Sequence, residues 1–505
     1  MQQMPAATQS ATTTVEGKPS AGKSAPSIFD LFSSFSAFIA SILVGKAVWT
    51  CRDRIADPDL WWHLRNAKFT LENHRLPLFD TYTHTVAGSP WIDHSWLSEL
   101  LFYGAHHWLG LYGVFLLFAA CVSVLSLGMF AMCLRETDDP LAAGVVSIFC
   151  GLLAMAAYTP RPQLIGWICF LGIYATLVQF RRVGNAPVWL VPVLFCLWIN
   201  CHPGWPYGMV VFGIIAASGF LPRDIGPLIA NPWTPKQRHK IILTFGASCL
   251  ALLLNPYGYK LWYYPFDLAL REKLTVGLVQ EWGSVNFQDS RGIYVFILLA
   301  TIFLMALFST RRWRVDEVAL TLFVLYGGLA HIRLLLPAAV VLAPILAPRL
   351  GRISSHTPGR ERRVLNSVFV AIVIGFIIWA LPSHRMLHDE VRNYFPERAT
   401  GYLKTHPMAG KMFNWYEWGG YLEWNLPNVP VFIDGRTDFF EGHAVLGDYL
   451  KIAGVADSDV LLRDYQISYA LIPANGPLSY ALAASPHWRS IYDDGQSAIF
   501  QSTGE

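Results

Sequence analysis

The sequence predicts a polytopic α-helical membrane protein ending in a small α/β domain outside the membrane, and three observations carry that prediction. First, 53% of the 505 residues are hydrophobic and only 14% are charged, against roughly 25% charged in soluble domains. The mean hydropathy of +0.36 points the same way. Second, apolar runs long enough to approach the ~20 residues that cross a bilayer recur along the chain. Third, composition changes after Ser383, where short apolar strands alternate with helix-like stretches.

Taken in order, Met1–Pro26 is rich in Ser, Thr, Ala and Gly and reads as a disordered cytoplasmic tail. A signal-anchor is expected to follow, rather than a cleaved signal peptide. About eleven spans follow: Phe29–Trp49, Leu111–Leu134, Leu141–Tyr158, Leu164–Phe180, Val188–Asn200, Tyr207–Leu221, Ile241–Leu254, Ile293–Phe308, Val318–Leu329, Leu334–Ala347 and Val364–Leu381. The 19 Trp and 21 Tyr suit interfacial positions.

Basic residues set the expected orientation. Lys18 and Lys23, Arg181 and Arg182, Arg223 to Lys240, Arg311 to Arg314 and Arg349 to Arg363 fall in alternate loops. These loops are assigned to the cytoplasm. Arg52–Gly110, Asn255–Gly292 and the tail from Ser383 then lie outside a bacterial-type inner membrane. Of 15 histidines, only His239 and His356 fall on the cytoplasmic side, which suggests a polar cavity opening outward.

A net charge of +3 is too small to argue for nucleic acid. The eight cysteines form no C-x-x-C pair, so neither a disulfide framework nor a common zinc site is indicated.

The first outer loop carries the densest chemistry. Asp57-Pro58-Asp59 can cap a helix over Leu60–His74, which places Trp61, Leu64 and Phe69 on one face and is expected to lie on the membrane surface. One aspartate caps; the other remains as a carboxylate beside the bilayer. His63 and Arg65 follow on the same helix. Asp93, His94 and Glu99 form a second cluster, with Ser95 as the start of the next helix. His63, Asp93, His94, Glu99, His202, Glu281 and His331 together suggest a polar cavity or a divalent cation site for Mg or Mn. Arg161 and Arg333 are candidates for a phosphate, because a guanidinium offers a forked donor set at constant charge; Arg65 joins them.

In the tail, strands are expected at Val429–Ile433, Ala470–Ile472 and Ala498–Phe500, and helices at Phe395–Thr405 and Ala444–Ala453. Phe432-Ile433-Asp434-Gly435-Arg436 reads as a strand entering an Asp-Gly turn, with Asp434 and Arg436 available to a cavity.

The long first outer loop opening with Asp57-Pro58-Asp59, the Trp61-Trp62-His63-Leu64-Arg65 segment after it and the outer C-terminal domain resemble the GT-C superfamily. These are membrane glycosyltransferases that use polyprenyl-phosphate-linked sugars, among them protein mannosyltransferases and oligosaccharyltransferases. Trp415-Tyr416-Glu417-Trp418-Gly419 looks like the oligosaccharyltransferase Trp-Trp-Asp-Tyr-Gly motif that holds the acceptor. The resemblance implies transfer from a polyprenyl-phosphate sugar to an acceptor (protein, lipid or polysaccharide), with Asp57 or Asp59 as general base. A non-catalytic membrane protein with an outer binding domain and a lipid-linked sugar transporter are the rival readings.

Overall fold

The structure is a computed structural model that describes residues 32–271, 273–278, 280–351, 353 and 362–504. The Met1–Pro26 tail, the start of the first span and His356 lie outside the described residues. Each of the eleven expected spans falls on a helix. Among the described residues, six helices are long and apolar enough to cross a membrane by length and composition, and Phe35–Cys51, Leu190–Cys201 and Trp205–Ser218 are shorter apolar helices.

Burial sorts these helices. Every residue of Leu335–Leu346 is buried, as expected of a helix that is apolar all round and enclosed by others. Ser290–Phe308 and Arg363–Ala380 are only 22% and 17% buried, so they form the rim of the bundle. Phe35–Cys51 packs along Arg363–Ala380, with Trp49 stacked on Trp379 at 5.9 Å. Helix ends alternate between the two ends of the bundle, and the loops rich in Arg gather at one of them. There Arg181 lies 3.7 Å from Asp316 and Arg314 lies 3.1 Å from the same carboxylate. Arg349 pairs with Glu317 beside them.

The opposite end carries the first loop and the C-terminal residues. Pro58–Asn73 is a helix, close to the expected bounds. It does not lie on a surface: Leu60, Trp61, Trp62, His63, Leu64, Asn66 and Ala67 are all buried. The covering elements are Trp96–Leu109 and the distant Gly419–Asn425 helix. Trp61, for example, meets Tyr421 edge-on at 5.1 Å.

The C-terminal residues build a four-stranded sheet in the order Lys411–Asn414, Ile467–Pro473, Ser497–Ser502, Trp488–Asp493. The first pair is parallel and the others antiparallel. Strand alternation sends Met412, Tyr469, Leu471 and Ile499 into the core that continues through the bundle. Phe413, Ala470, Ile472 and Phe500 go into a second cluster with Tyr449 and Leu482. The strands expected at Ala470–Ile472 and Ala498–Phe500 and the helices near Phe395–Thr405 and Ala444–Ala453 are present. Val429–Ile433 is not a strand. Only Val431 forms a bridge, and its partner is Thr83 of the first loop. Val431 N–H donates to Tyr82 O at 3.0 Å and His84 N–H donates to Val431 O at 3.1 Å. The apolar run is therefore extended, but it serves to stitch the tail to the first loop.

Candidate active site

The two aspartates that open the first-loop helix divide their work. Asp57 is the N-cap, its Oδ1 accepting the Asp59 backbone N–H at 2.9 Å, and Pro58 occupies the first helical position. Both Asp57 oxygens also accept from Arg161 Nε, at 2.9 and 2.8 Å. Arg161 comes from the turn that starts the Gln163–Val183 helix, and its Nη1 lies 2.9 Å from Asp59 and 3.7 Å from Glu281. The Arg161 guanidinium is thus committed to three carboxylates. Asp57 is sealed behind it, with 6% of its side chain exposed against 19% for Asp59. Burial raises the Asp59 carboxyl to about 6, with Arg161 pulling it down and Asp57 and Glu281 pushing it up.

Asp59 faces a cavity of about 550 Å³, within the ~300–1,000 Å³ usual for small-ligand sites. Part of its lining is apolar, with Trp167, Val210, Phe323 and Leu334 from the bundle and Pro265, Leu268 and Ala269 of the Tyr259–Arg271 helix. The rest is polar. Arg333 enters from the Ile332–Leu334 turn, donates to Gln163 Oε1 at 2.8 Å and rests 4.4 Å over the Trp282 ring. Among the described residues no carboxylate lies within ion-pair distance of it. Arg333 is therefore a guanidinium without a carboxylate partner among the described residues, whereas Arg161 is charge-paired three times over.

Four histidines line the cavity: His63, His94, His202 and His331. His202 Nδ1 accepts the Gly204 N–H at 3.0 Å, so its own proton sits on Nε2. Burial, Arg333 and His94 hold His202 well below the usual histidine range. His331 Nδ1 donates to Trp282 O at 2.7 Å, leaving Nε2 as an acceptor. His94 Nδ1 contacts Ser95 Oγ at 2.8 Å. That contact uses the Ser95 hydroxyl, and Trp96–Leu109 starts without a side-chain cap. His63 Nδ1 lies 2.6 Å from Glu99 Oε1.

The tail supplies the facing wall. Gly435 approaches so closely that a Cβ there would lie 2.1 Å from Asp59 Oδ1. Behind it, Arg436 Nε donates to Asp434 at 2.9 and 3.0 Å, and its Nη2 reaches Asp80 of the first loop at 2.6 Å. Burial opposes the charge on Asp434, yet Arg436 holds its carboxyl below the usual range. Burial and then Asp434 push the neighbouring Glu423 carboxyl well above that range. Asp438 bonds the Tyr264 hydroxyl across the cavity.

Of the site residues expected from sequence, Asp59, His63, His94, Arg161, His202, His331, Arg333, Tyr416 and Arg436 reach the cavity wall. Asp57, Asp93, Glu99, Glu281 and Asp434 stand one layer behind. Arg65 is away from the wall, 5.7 Å over the Tyr82 ring. In Trp415–Gly419 only Tyr416 faces the cavity. Trp418 Nε1 donates to Tyr394 O, Glu417 accepts from the Tyr394 hydroxyl, and Trp415 packs 6.1 Å from Tyr449. Gly419 is required by close packing, since a Cβ would lie 2.1 Å from Ile433 O. Among the described residues no group of three His, Cys, Asp or Glu is placed to hold a metal ion. Asp438, just beyond the Asp-Gly turn whose polar residues were expected to be available to a cavity, lines it; Trp62, Gln163, Tyr264 and Gly435 were not expected there as site residues.

No protein-family profile and no curated protein matches the chain. Solved structures do. The chain is similar to ArnT from Cupriavidus metallidurans bound to undecaprenyl phosphate, with 13% identity and a TM-score of 0.50 over 91% of this chain and 97% of that one. Apo ArnT from the same organism gives 12% identity and a TM-score of 0.51 over 91% and 96%. The arabinofuranosyltransferase AftD from Mycobacteria gives 13% identity and 0.50, over 93% of this chain and 40% of that one. Through nearly its whole length the chain shares the fold of these solved structures.

Proposed function

We propose that this protein is a membrane glycosyltransferase that moves a sugar from a polyprenyl-phosphate donor to an acceptor outside the cytoplasm. One observation carries the reading: Asp59 and the Arg333 guanidinium, which has no carboxylate partner among the described residues, share the wall of a single cavity with a partly apolar lining. The apolar part suits a lipid chain, Arg333 suits its phosphate, and Asp59 suits the acceptor. That ArnT was solved with undecaprenyl phosphate supports the donor class. The alternate Arg-rich loops support placing the cavity on the extracytoplasmic face of an inner membrane.

In the reaction, Asp59 takes the proton of the acceptor as the acceptor oxygen bonds the anomeric carbon. The bond from that carbon to the phosphate oxygen breaks, its electron pair stays on the phosphate, and Arg333 stabilises the charge with His202 Nε2–H as a neighbouring donor. Arg161 holds Asp59 in place directly, through its Nη1, while its Nε binds Asp57. Tyr416 is the residue of the Trp415–Gly419 motif that meets the acceptor. A resident Mg or Mn ion does not fit these residues, because the three carboxylates at Asp57, Asp59 and Glu281 already converge on Arg161. No step is routed through a metal.

Radiolabelled polyprenyl-phosphate sugars and purified protein in detergent or liposomes test the reading. Turnover that disappears in Asp59→Asn is the expected result. Saturable binding without turnover would assign a non-catalytic protein, and movement of the lipid across liposomes a transporter.

A further inference from the structure

Away from the cavity described above, a groove of about 300 Å³ lies between two membrane helices at the Arg-rich end of the bundle. Its sides are the last turns of Leu111–Thr137 and Gln163–Val183. At mid-span these helices are in close contact, and a Cβ on Gly128 would lie 2.2 Å from Leu171 Cδ2. Nearer the helix ends the lining divides in two. Met132, Ala175 and Val178 are apolar, as is Val183, whereas Arg135 and Arg182 carry charge. On each helix the arginine follows an apolar lining residue by one turn, Met132 to Arg135 and Val178 to Arg182. The guanidiniums therefore belong to the bilayer edge and those apolar residues to the bilayer side of it.

The two arginines are differently engaged. Arg182 Nη1 donates to the Arg135 carbonyl oxygen and lies 3.7 Å from Glu136, which also lines the groove. Even so, 47% of the Arg182 side chain is exposed. Arg135 is exposed too, and its Nη1 donates to Gln179 Oε1 at 3.5 Å. Among the described residues no carboxylate pairs with Arg135. Two guanidiniums against one carboxylate leave the groove with one positive charge in excess. Arg181, next in sequence to Arg182, shows the contrast: it is buried, 3.7 Å from Asp316.

We propose that this groove binds an anionic phospholipid with one net negative charge, of the phosphatidylglycerol kind. The site is separate from the transfer cavity and does not depend on the transfer reading. The lipid phosphate sits at Arg135 and Arg182, because a guanidinium offers phosphate oxygens a forked set of donors. An acyl chain covers Met132, Ala175 and Val178 on its way into the bilayer. Each feature of the groove selects this occupant. A free phosphate ion would leave the apolar lining uncovered. A zwitterionic headgroup has no net charge to balance the excess, and Glu136 opposes a headgroup of higher charge. Basic pockets between membrane helices hold acidic lipid headgroups by the same chemistry.

Native mass spectrometry of the full-length protein in detergent, titrated with phosphatidylglycerol and separately with phosphatidylcholine, tests the site. One phosphatidylglycerol is expected to stay bound under conditions that strip phosphatidylcholine. Arg135→Ala, which gives up only the contact with Gln179, is expected to weaken that binding about fivefold. Val178→Trp fills the groove without changing its charge and is expected to weaken binding as well. Arg311→Ala removes an exposed arginine from another loop at the same end and is expected to change nothing. Equal retention of the two lipids, or undiminished binding in either Arg135→Ala or Val178→Trp, overturns the site. An equal loss in Arg311→Ala overturns it as well, in favour of a diffuse basic surface. Displacement of the lipid by inorganic phosphate would assign the groove to a free anion instead.

Discussion

Both ends of the bundle set an arginine on an indole, and the two arginines differ in what else they touch. Arg349 lies 3.7 Å over Trp313 and pairs with Glu317. Arg333 lies 4.4 Å over Trp282 and has no carboxylate among the described residues. Around Arg349 the charges close on one another, with Asp316 held between Arg181 and Arg314. Around Arg333 they open onto a cavity. The same residue types thus make a structural clamp at one end and the wall of an open cavity, the proposed ligand site, at the other. The distinction is whether a buried cation is already paired, since an unpaired one is costly unless a ligand completes it.

The comparison can be broken or sharpened by mutation, and the largest effect is expected at Asp59. Asp59→Asn should lower sugar transfer by about 1,000-fold while the protein still purifies and unfolds normally; transfer near the wild-type rate would end the assignment. Glu317→Ala should do the opposite. It strands Arg349 and costs ~3–5 kcal/mol in stability, read as a lower unfolding midpoint, while transfer per folded molecule is unchanged. A large loss of transfer there would erase the contrast between the two ends.

Gly435→Ala inserts a methyl group against Asp59 Oδ1, and a displacement on the order of 1 Å at the reacting groups costs about 100-fold in turnover. Steady-state rates on folded protein check this, and an unaffected rate would mean that Asp59 need not stay where it is. Arg333→Ala removes the cation that stabilises the charge developing on the leaving phosphate, so turnover should fall by about 100-fold and the donor KM should rise; unchanged turnover would make Arg333 a binding group only.

The mildest test is pH. Asp59 is raised to about 6, so lowering the pH through that value protonates the base and activity should fall. Above it the carboxylate is free and activity should level off. A profile flat through that region would show that another group takes the proton.

Much of this was legible in the sequence where a local rule decides. The membrane helices follow from apolar length, and the Asp57-Pro58 start of the first-loop helix follows from capping. The identity of the leftover aspartate was not legible. It depends on Arg161, a partner 104 positions away, which covers Asp57 and leaves Asp59 facing the cavity. The same reason defeats the surface-helix expectation for Leu60–His74, because its cover comes from residues 419–425. The Trp415–Gly419 motif has aromatic, acidic and glycine residues in the right order, but four of its five residues are spent on packing and hydrogen bonds away from the cavity. Val429–Ile433 has strand composition, and its hydrogen bonds go to a loop that no local pattern points to.

The bond from Arg436 to Asp80 joins positions 356 apart. Its consequence concerns timing during synthesis. While the ribosome is still adding residues 410 to 440, the first loop has long been made and Asp59 has no opposing wall. The half-made protein therefore has an acid and a lipid-sized opening but no closed chamber around them. Competence arrives late and all at once, when the tail locks onto the loop that was made first.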